Sequence, residues 1–195
     1  MKNAKYVVIA IACICVICAG FFFFTQGNKE TQKDLTEMEK VIVKDLKNSY
    51  PKTPREVVKY YNRIMKCYYG DTPTEEQYKA LLEQERLLWD EDLLLNNPKD
   101  VHYQSVLNDI QYFKDNNIKL VSTDVCDSND VLYVTDEKDG NTEVDQIAYV
   151  EASYFMNNNG KFVYTYQEYV LRQDENGRWK VLKFSVVEGE KSDDK

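Results

Sequence analysis

Nineteen consecutive residues without a charge, 6–24 (YVVIAIACICVICAGFFFF), constrain this chain more than any other feature. As a helix at about 1.5 Å per residue the run is roughly 28 Å long, close to the hydrocarbon thickness of a bilayer. A signal-peptide core is shorter, typically about 7–15 residues, and ends in a small-residue cleavage site. Here the small cluster Cys18-Ala19-Gly20 leads straight into four phenylalanines, so the run is expected to stay in the membrane uncut. A lipidated cysteine is the alternative anchor, and Ala10-Ile11-Ala12-Cys13 comes nearest to its pattern. The apolar run nevertheless continues well past Cys13, which favours a span with cysteine as a small hydrophobe. Lys2 and Lys5 precede the run and no base follows it until Lys29. The positive-inside bias then places residues 1–5 in the cytoplasm, a transmembrane helix at 6–25, and the rest of the chain outside the cell.

All 33 acids, but only 23 of the 25 bases, lie beyond the span. The exterior part is therefore more acidic than the whole chain's net −8. That balance argues against nucleic acid and against an anionic lipid surface, both of which are bound through basic patches. Only Cys67 and Cys126 lie outside the span; one bridge between them is conceivable, and two buried thiols are the alternative.

Residues 26–49 read as a juxtamembrane linker and 50–188 as one domain, with a frayed tail at 189–195. "NSYPKTPREVV" carries the local chemistry of a helix start: Thr53 as cap, Pro54 at the first helical position and Glu56 in the capping-box position. The helix it opens places Val57, Tyr61, Ile64, Met65 and Tyr68 on one stripe, with Lys59, Asn62, Arg63 and Lys66 opposite. A second helix starts at Thr72 or Thr74 and offers Tyr78, Leu81, Leu82, Leu88 and Trp89 to a core. A third, over about 100–115, offers Tyr103, Val106, Leu107, Ile110 and Phe113. Beyond Asn117 the period changes. Residues 118–125, 131–135, 144–156, 162–171 and 179–187 read as strands, separated by "CDSND", "EKDGNT", "NNNG" and "DENG", turn sequences that favour antiparallel hairpins. Helices first and a meander afterwards predict an α+β fold, three helices packed on one face of a curved antiparallel sheet.

With its ending, "YQEYVLRQDENGRWKVLKF", this order resembles the nuclear transport factor 2-like superfamily, the cystatin-like α+β roll. Arg172, Gly177 and Trp179 occupy the places of that superfamily's charged residue, turn glycine and strand-opening tryptophan. "YPKTPREVVKYYNRIMKCYYG" with the same ending is also similar to a family of membrane-anchored proteins from Gram-positive bacteria that carries no assigned reaction. The resemblance covers about residues 50–188. It implies a cone-shaped cavity between sheet and helices, and it implies no particular reaction, since the fold hosts enzymes and non-enzymes alike.

The chain's own residues exclude several chemistries. A lone histidine, His102, sits near a helix start, where capping or solvent exposure is the ordinary role, and it leaves no nucleophilic triad or zinc cluster to build. "DEKDGNTE" matches a calcium loop poorly, because Lys138 stands where a ligand is needed. Neither a dinucleotide fingerprint nor a phosphate loop is present, and no cofactor is expected. Cavity chemistry would draw on Asp145, Glu151 or Glu168 as base, with Tyr149, Tyr164 or Tyr166 as oxyanion donor. Tyr149, Tyr166, Glu168 and Trp179 are the candidate cavity lining. The reading favoured is a non-enzymatic extracytoplasmic module that binds an envelope protein or a small apolar ligand. Its alternatives are an isomerase- or dehydratase-type cavity enzyme and a homodimer paired through the sheet.

Overall fold

The computed structural model describes residues 35–137 and 144–188. The apolar run, the loop at 138–143 and the tail lie outside them, and with them the expected membrane span. Among the described residues no helix is long and apolar enough to cross a membrane. They fall into two units divided between Lys40 and Val41. Before the division, Thr36 caps the short helix α1 (Glu37–Ile42): its hydroxyl accepts the Glu39 amide at 3.2 Å, and the Glu39 carboxylate takes the Thr36 amide at 2.7 Å.

The second unit is α+β, with helices packed on one face of an open antiparallel sheet. Its segment before Tyr50 is tied in by hydrogen bonds, Tyr60 donating to the Val41 carbonyl at 2.7 Å and Gln84 to that of Ile42 at 2.8 Å. Helix α2 (Pro54–Gly70) begins with the expected capping box, the Thr53 hydroxyl and Glu56 carboxylate each accepting the other's amide. Exchanges of this kind contribute about 1 kcal/mol and fix where a helix starts. Its buried stripe includes Val57, Tyr61, Ile64 and Tyr68, whereas Met65 is only half-buried. Asn62 is buried as well, against the sequence reading that put it on the solvent side. Gly70 ends the helix hard against the sheet: a Cβ there would stand 2.8 Å from the Leu120 carbonyl oxygen.

Helix α3 (Glu75–Leu88) opens on a second capping box, Thr74 with Gln77. It stops where Trp89 and Asp90 become extended and bridge to Val181, the Asp90 amide donating to the Val181 carbonyl at 2.8 Å. Asp90 then caps α4 (Glu91–Asn96), a short helix besides the three expected. Helix α5 (Lys99–Asp115) docks mainly by rings: Phe113 on Tyr69 at 4.5 Å, Tyr103 on Tyr78 at 5.0 Å and His102 on Trp89 at 4.1 Å. His102 is therefore buried and neither caps the helix nor faces solvent, while Tyr103, Leu107, Ile110 and Phe113 are only half-buried.

Strands β1 (Ile118–Val125), β2 (Leu132–Glu137), β3 (Val144–Asn158), β4 (Lys161–Gln173) and β5 (Trp179–Val187) form one sheet in the order β1-β3-β4-β5. β2 also pairs with β3, so β1 and β2 lie end to end along one edge of that long strand and make no hairpin with each other. The "CDSND" segment thus crosses a gap in the edge. The β3–β4 and β4–β5 turns behave as hairpins: Asn159 and Gly160 both take positive φ in the first, and Gly177 does so in the second. Cys67 and Cys126 are not bridged to each other.

Candidate functional site

Strand parity decides which residues meet the helices. Tyr169 lies fully buried with its ring 5.4 Å from that of Tyr61 on α2, so Ala148, Val150, Ala152 and Tyr154 of β3, which share its face, line the interior with it. Hydroxyls of this layer are all engaged. Tyr154 donates to Asn62 Oδ1 at 2.6 Å and is hydrogen-bonded to the Tyr169 hydroxyl, while Tyr169 reaches Gln167 Oε1 at 3.0 Å. Tyr61 and Tyr68 donate to the two oxygens of buried Glu85 at 2.8 and 3.1 Å, and His102 Nε2 lies 3.5 Å from the second. Burial pushes the Tyr61, Tyr68, Tyr154 and Tyr169 hydroxyls far above the ordinary phenol range. Such hydroxyls are poor acids and their protons are already committed, so this arrangement locks helices to sheet.

A hollow of about 800 Å³ lies outside that layer, at the junction of α3, α4 and the β4–β5 turn. Arg172 projects into it and is gripped by Asp90 through Nε (3.0 Å) and Nη2 (2.5 Å), by Asp92 at 2.7 Å, and more loosely by Asp145 at 3.7 Å. Asp90 is nearly buried and also caps α4, so the bidentate pair staples the α3–α4 elbow to the end of β4. That role accounts for the charge at the end of β4. Asp145 belongs to this staple.

The outer face of the sheet is different in kind. Phe162, Tyr164 and Tyr166 follow one another at alternate positions of β4, and Phe155 stands directly across from Tyr164. Phe162 and Tyr164 are each 60% exposed. Their rings form a continuous row: Phe155 stacks on Phe162 at 5.2 Å and meets Tyr164 at 4.8 Å, and Tyr164 lies 6.5 Å from Tyr166. Tyr166 leads into a hollow of about 330 Å³, shared with Asp124, Asp127, Glu151 and Ser153, at the gap between β1 and β2. One step further along, Glu151 and Glu168 pair directly across β3 and β4, with Ser185 of β5 beyond them. Like charges in such positions are destabilising, which a purely structural face would avoid.

Of the residues proposed to line a cavity, Tyr149, Tyr166 and Glu168 are placed together on this outer face, Tyr149 opposite Val170 and Leu132. Trp179 stands apart, buried, with its ring edge-on to Tyr133 at 5.8 Å. Sequence reasoning missed Phe155 and Phe162, although the alternate spacing of Phe162 with Tyr164 was a usable signal. It also missed Glu85, whose burial inside "LLEQERLL" has no such mark.

A family model matches residues 1–184. The chain belongs to that family, a domain of unknown function designated DUF6715. No curated protein matches the chain.

Proposed function

We propose that the chain is a membrane-anchored, extracytoplasmic binding module, built on a roll of the nuclear transport factor 2-like kind, which engages its ligand through the outer face of its sheet. The uncharged run at 6–24 with Lys2 and Lys5 before it supports the anchor and its orientation. The helix order and the ending Arg172, Gly177, Trp179 support the roll. One observation carries the functional reading. Interior tyrosine hydroxyls are committed to Glu85, Asn62, Gln167 and one another, while four aromatic rings line up outside with Phe162 and Tyr164 open to solvent. Exposed aromatic surface next to polar groups marks binding sites on soluble domains.

The competing reading is a cavity enzyme, and Glu85 with Tyr61 and Tyr68 is the arrangement that favours it. Both oxygens of Glu85 are occupied by these hydroxyls, and a substrate would have to displace buried rings to reach them. Cross-linking of the membrane-inserted full chain to other envelope components separates the two readings. Loss of the cross-linked product in the Phe162→Ala/Tyr164→Ala double variant, with Glu85→Gln cross-linked like the wild type, is the expected result. Equal cross-linking of wild type and double variant would sink the binding-face reading.

A further inference from the structure

Resting on that reading of the outer face, we propose that its ligand is a neutral glycan chain, with sugar rings lying along the aromatic row and hydroxyls reaching the carboxylates at its end. Three observations select this chemistry.

The first is shape. Phe162, Tyr164 and Tyr166 lie on alternate positions of a single strand, so their rings form a narrow strip that a linear chain can follow. Pyranose rings present a face of C–H bonds that packs on an aromatic ring, while their hydroxyls project at the edge. A ligand with repeating apolar faces suits repeating rings.

The second is the polarity of what adjoins the strip. The hollow beside Tyr166 offers acceptors, the carboxylates of Asp124, Asp127 and Glu151, with the Ser153 hydroxyl among them. One Asp124 oxygen already accepts the Val125 amide at 2.9 Å, and the Arg55 guanidinium lies 3.7 Å from Asp127. Glu151 is exposed and stands opposite Glu168. These acceptors call for a ligand rich in donors and without negative charge. Sugar hydroxyls and amides supply donors; phosphate-bearing polymers and anionic lipid would be repelled. At about 330 Å³ the hollow lies at the small end of ligand pockets.

The third is area. At about 200 Å² per ring, with two rings 60% exposed and two half-buried, the strip offers roughly 400 Å² at most. A stable protein interface needs about 800 Å² from each partner. Two-fold pairing of this face would also bring the Glu151 and Glu168 pairs of two copies together, a repulsion that Lys183, across from Val170 on β5, offsets only in part. A second copy therefore fits the strip less well than a slender uncharged chain.

Calorimetric titration tests this on the full chain in a zwitterionic detergent whose headgroup contains no sugar. The probes are chitohexaose, cellohexaose and, as an acidic counterpart, polygalacturonate. Binding of at least one neutral hexasaccharide is expected, weakened tenfold or more in Phe162→Ala/Tyr164→Ala and severalfold in Glu151→Gln/Glu168→Gln, with no binding of polygalacturonate. The glutamine pair leaves every ring in place, so it tests the hydrogen-bonding half should the alanine pair disturb the strand. Circular dichroism of each variant verifies the fold. Absence of heat with both neutral hexasaccharides, while cross-linking of the membrane-inserted chain to envelope components still depends on Phe162 and Tyr164, overturns the glycan and leaves the binding face standing. Preference for polygalacturonate, or sedimentation showing self-association abolished by the alanine pair, overturns it equally. Envelope cross-linking indifferent to both rings overturns the face as well.

Discussion

Raising the pH interrogates the interior layer directly. Tyr61, Tyr68, Tyr154 and Tyr169 hold their protons well above the ordinary range, and burial is the largest cause for each. In the unfolded chain all four titrate near pH 10. A folded-state value raised above the unfolded one gives stability that is whole below about pH 10 and drains away above it, because the unfolded chain then releases protons that the folded chain keeps. Each such group contributes a slope of about 1.4 kcal/mol per pH unit, so these four give about 5–6 kcal/mol per pH unit, to which Tyr50, Tyr60 and Tyr69, raised by burial as well, add. Set against a domain stability of roughly 5–15 kcal/mol, this places the unfolding midpoint above about pH 10 and no higher than about pH 13. Phenolate absorbance followed in parallel with far-ultraviolet circular dichroism is the assay. Phenolate from these four residues should appear together with loss of structure, in one steep transition. Tyr169→Phe, which removes one of them, should make that transition shallower. Four phenols ionising near pH 10 in a chain whose dichroism stays native would refute the closed interior.

Substitutions at Arg172, Glu85 and Gly70 probe the packing that holds the outer face in place. Arg172→Met strips nearly buried Asp90 of its bidentate partner; since the guanidinium is about one-fifth exposed, a loss of about 3 kcal/mol is expected in urea unfolding, toward the low end for broken buried pairs. Asp90→Asn in the same chain should recover part of it, and strictly additive losses would contradict the staple. Glu85→Ala orphans the Tyr61 and Tyr68 hydroxyls and should cost about 3–5 kcal/mol, whereas Glu85→Gln, which still accepts, should cost clearly less. Gly70→Ala should cost about 1–3 kcal/mol despite alanine's better helix propensity, because its Cβ meets a strand carbonyl; a stabilised variant would show that α2 and β1 have room to part.

What the sequence made legible was local. The capping box at Thr53 and the turns at Asn159–Gly160 and Gly177 are determined by a few adjacent residues, and they stand where the sequence placed them; for the second helix the sequence left Thr72 and Thr74 open, and Thr74 is the cap. The change of period at Asn117 likewise marked the passage from helices to sheet. Facing was harder. β3 and β4 carry tyrosines on both sides, so nothing in "YVLRQ" or "YFMNN" says which parity meets the helices; that was settled by Tyr61 packing on Tyr169 from a distant helix. His102 was read as a cap or a solvent-exposed residue and Asn62 as solvent-side, because polar residues on a helix usually are. Their burial depends on what arrives from elsewhere, Trp89 and Glu85 for the first and Tyr154 for the second. The end-to-end arrangement of β1 and β2 was hidden for a similar reason: "CDSND" has hairpin chemistry, and only the length of β3, fifteen residues, lets one strand serve two partners. The gap this leaves in the edge is where the hollow beside Tyr166 forms.

Residue-resolved hydroxyl-radical footprinting, comparing the full chain in intact envelopes with the same chain extracted into detergent, tests the account most directly. Protection in the envelope should fall on Phe162, Tyr164 and Tyr166, with Tyr61 and Tyr169 equally unreactive in both states. Unchanged reactivity along the aromatic row, together with a change at Tyr61 or Tyr169, would instead locate the working surface inside the roll.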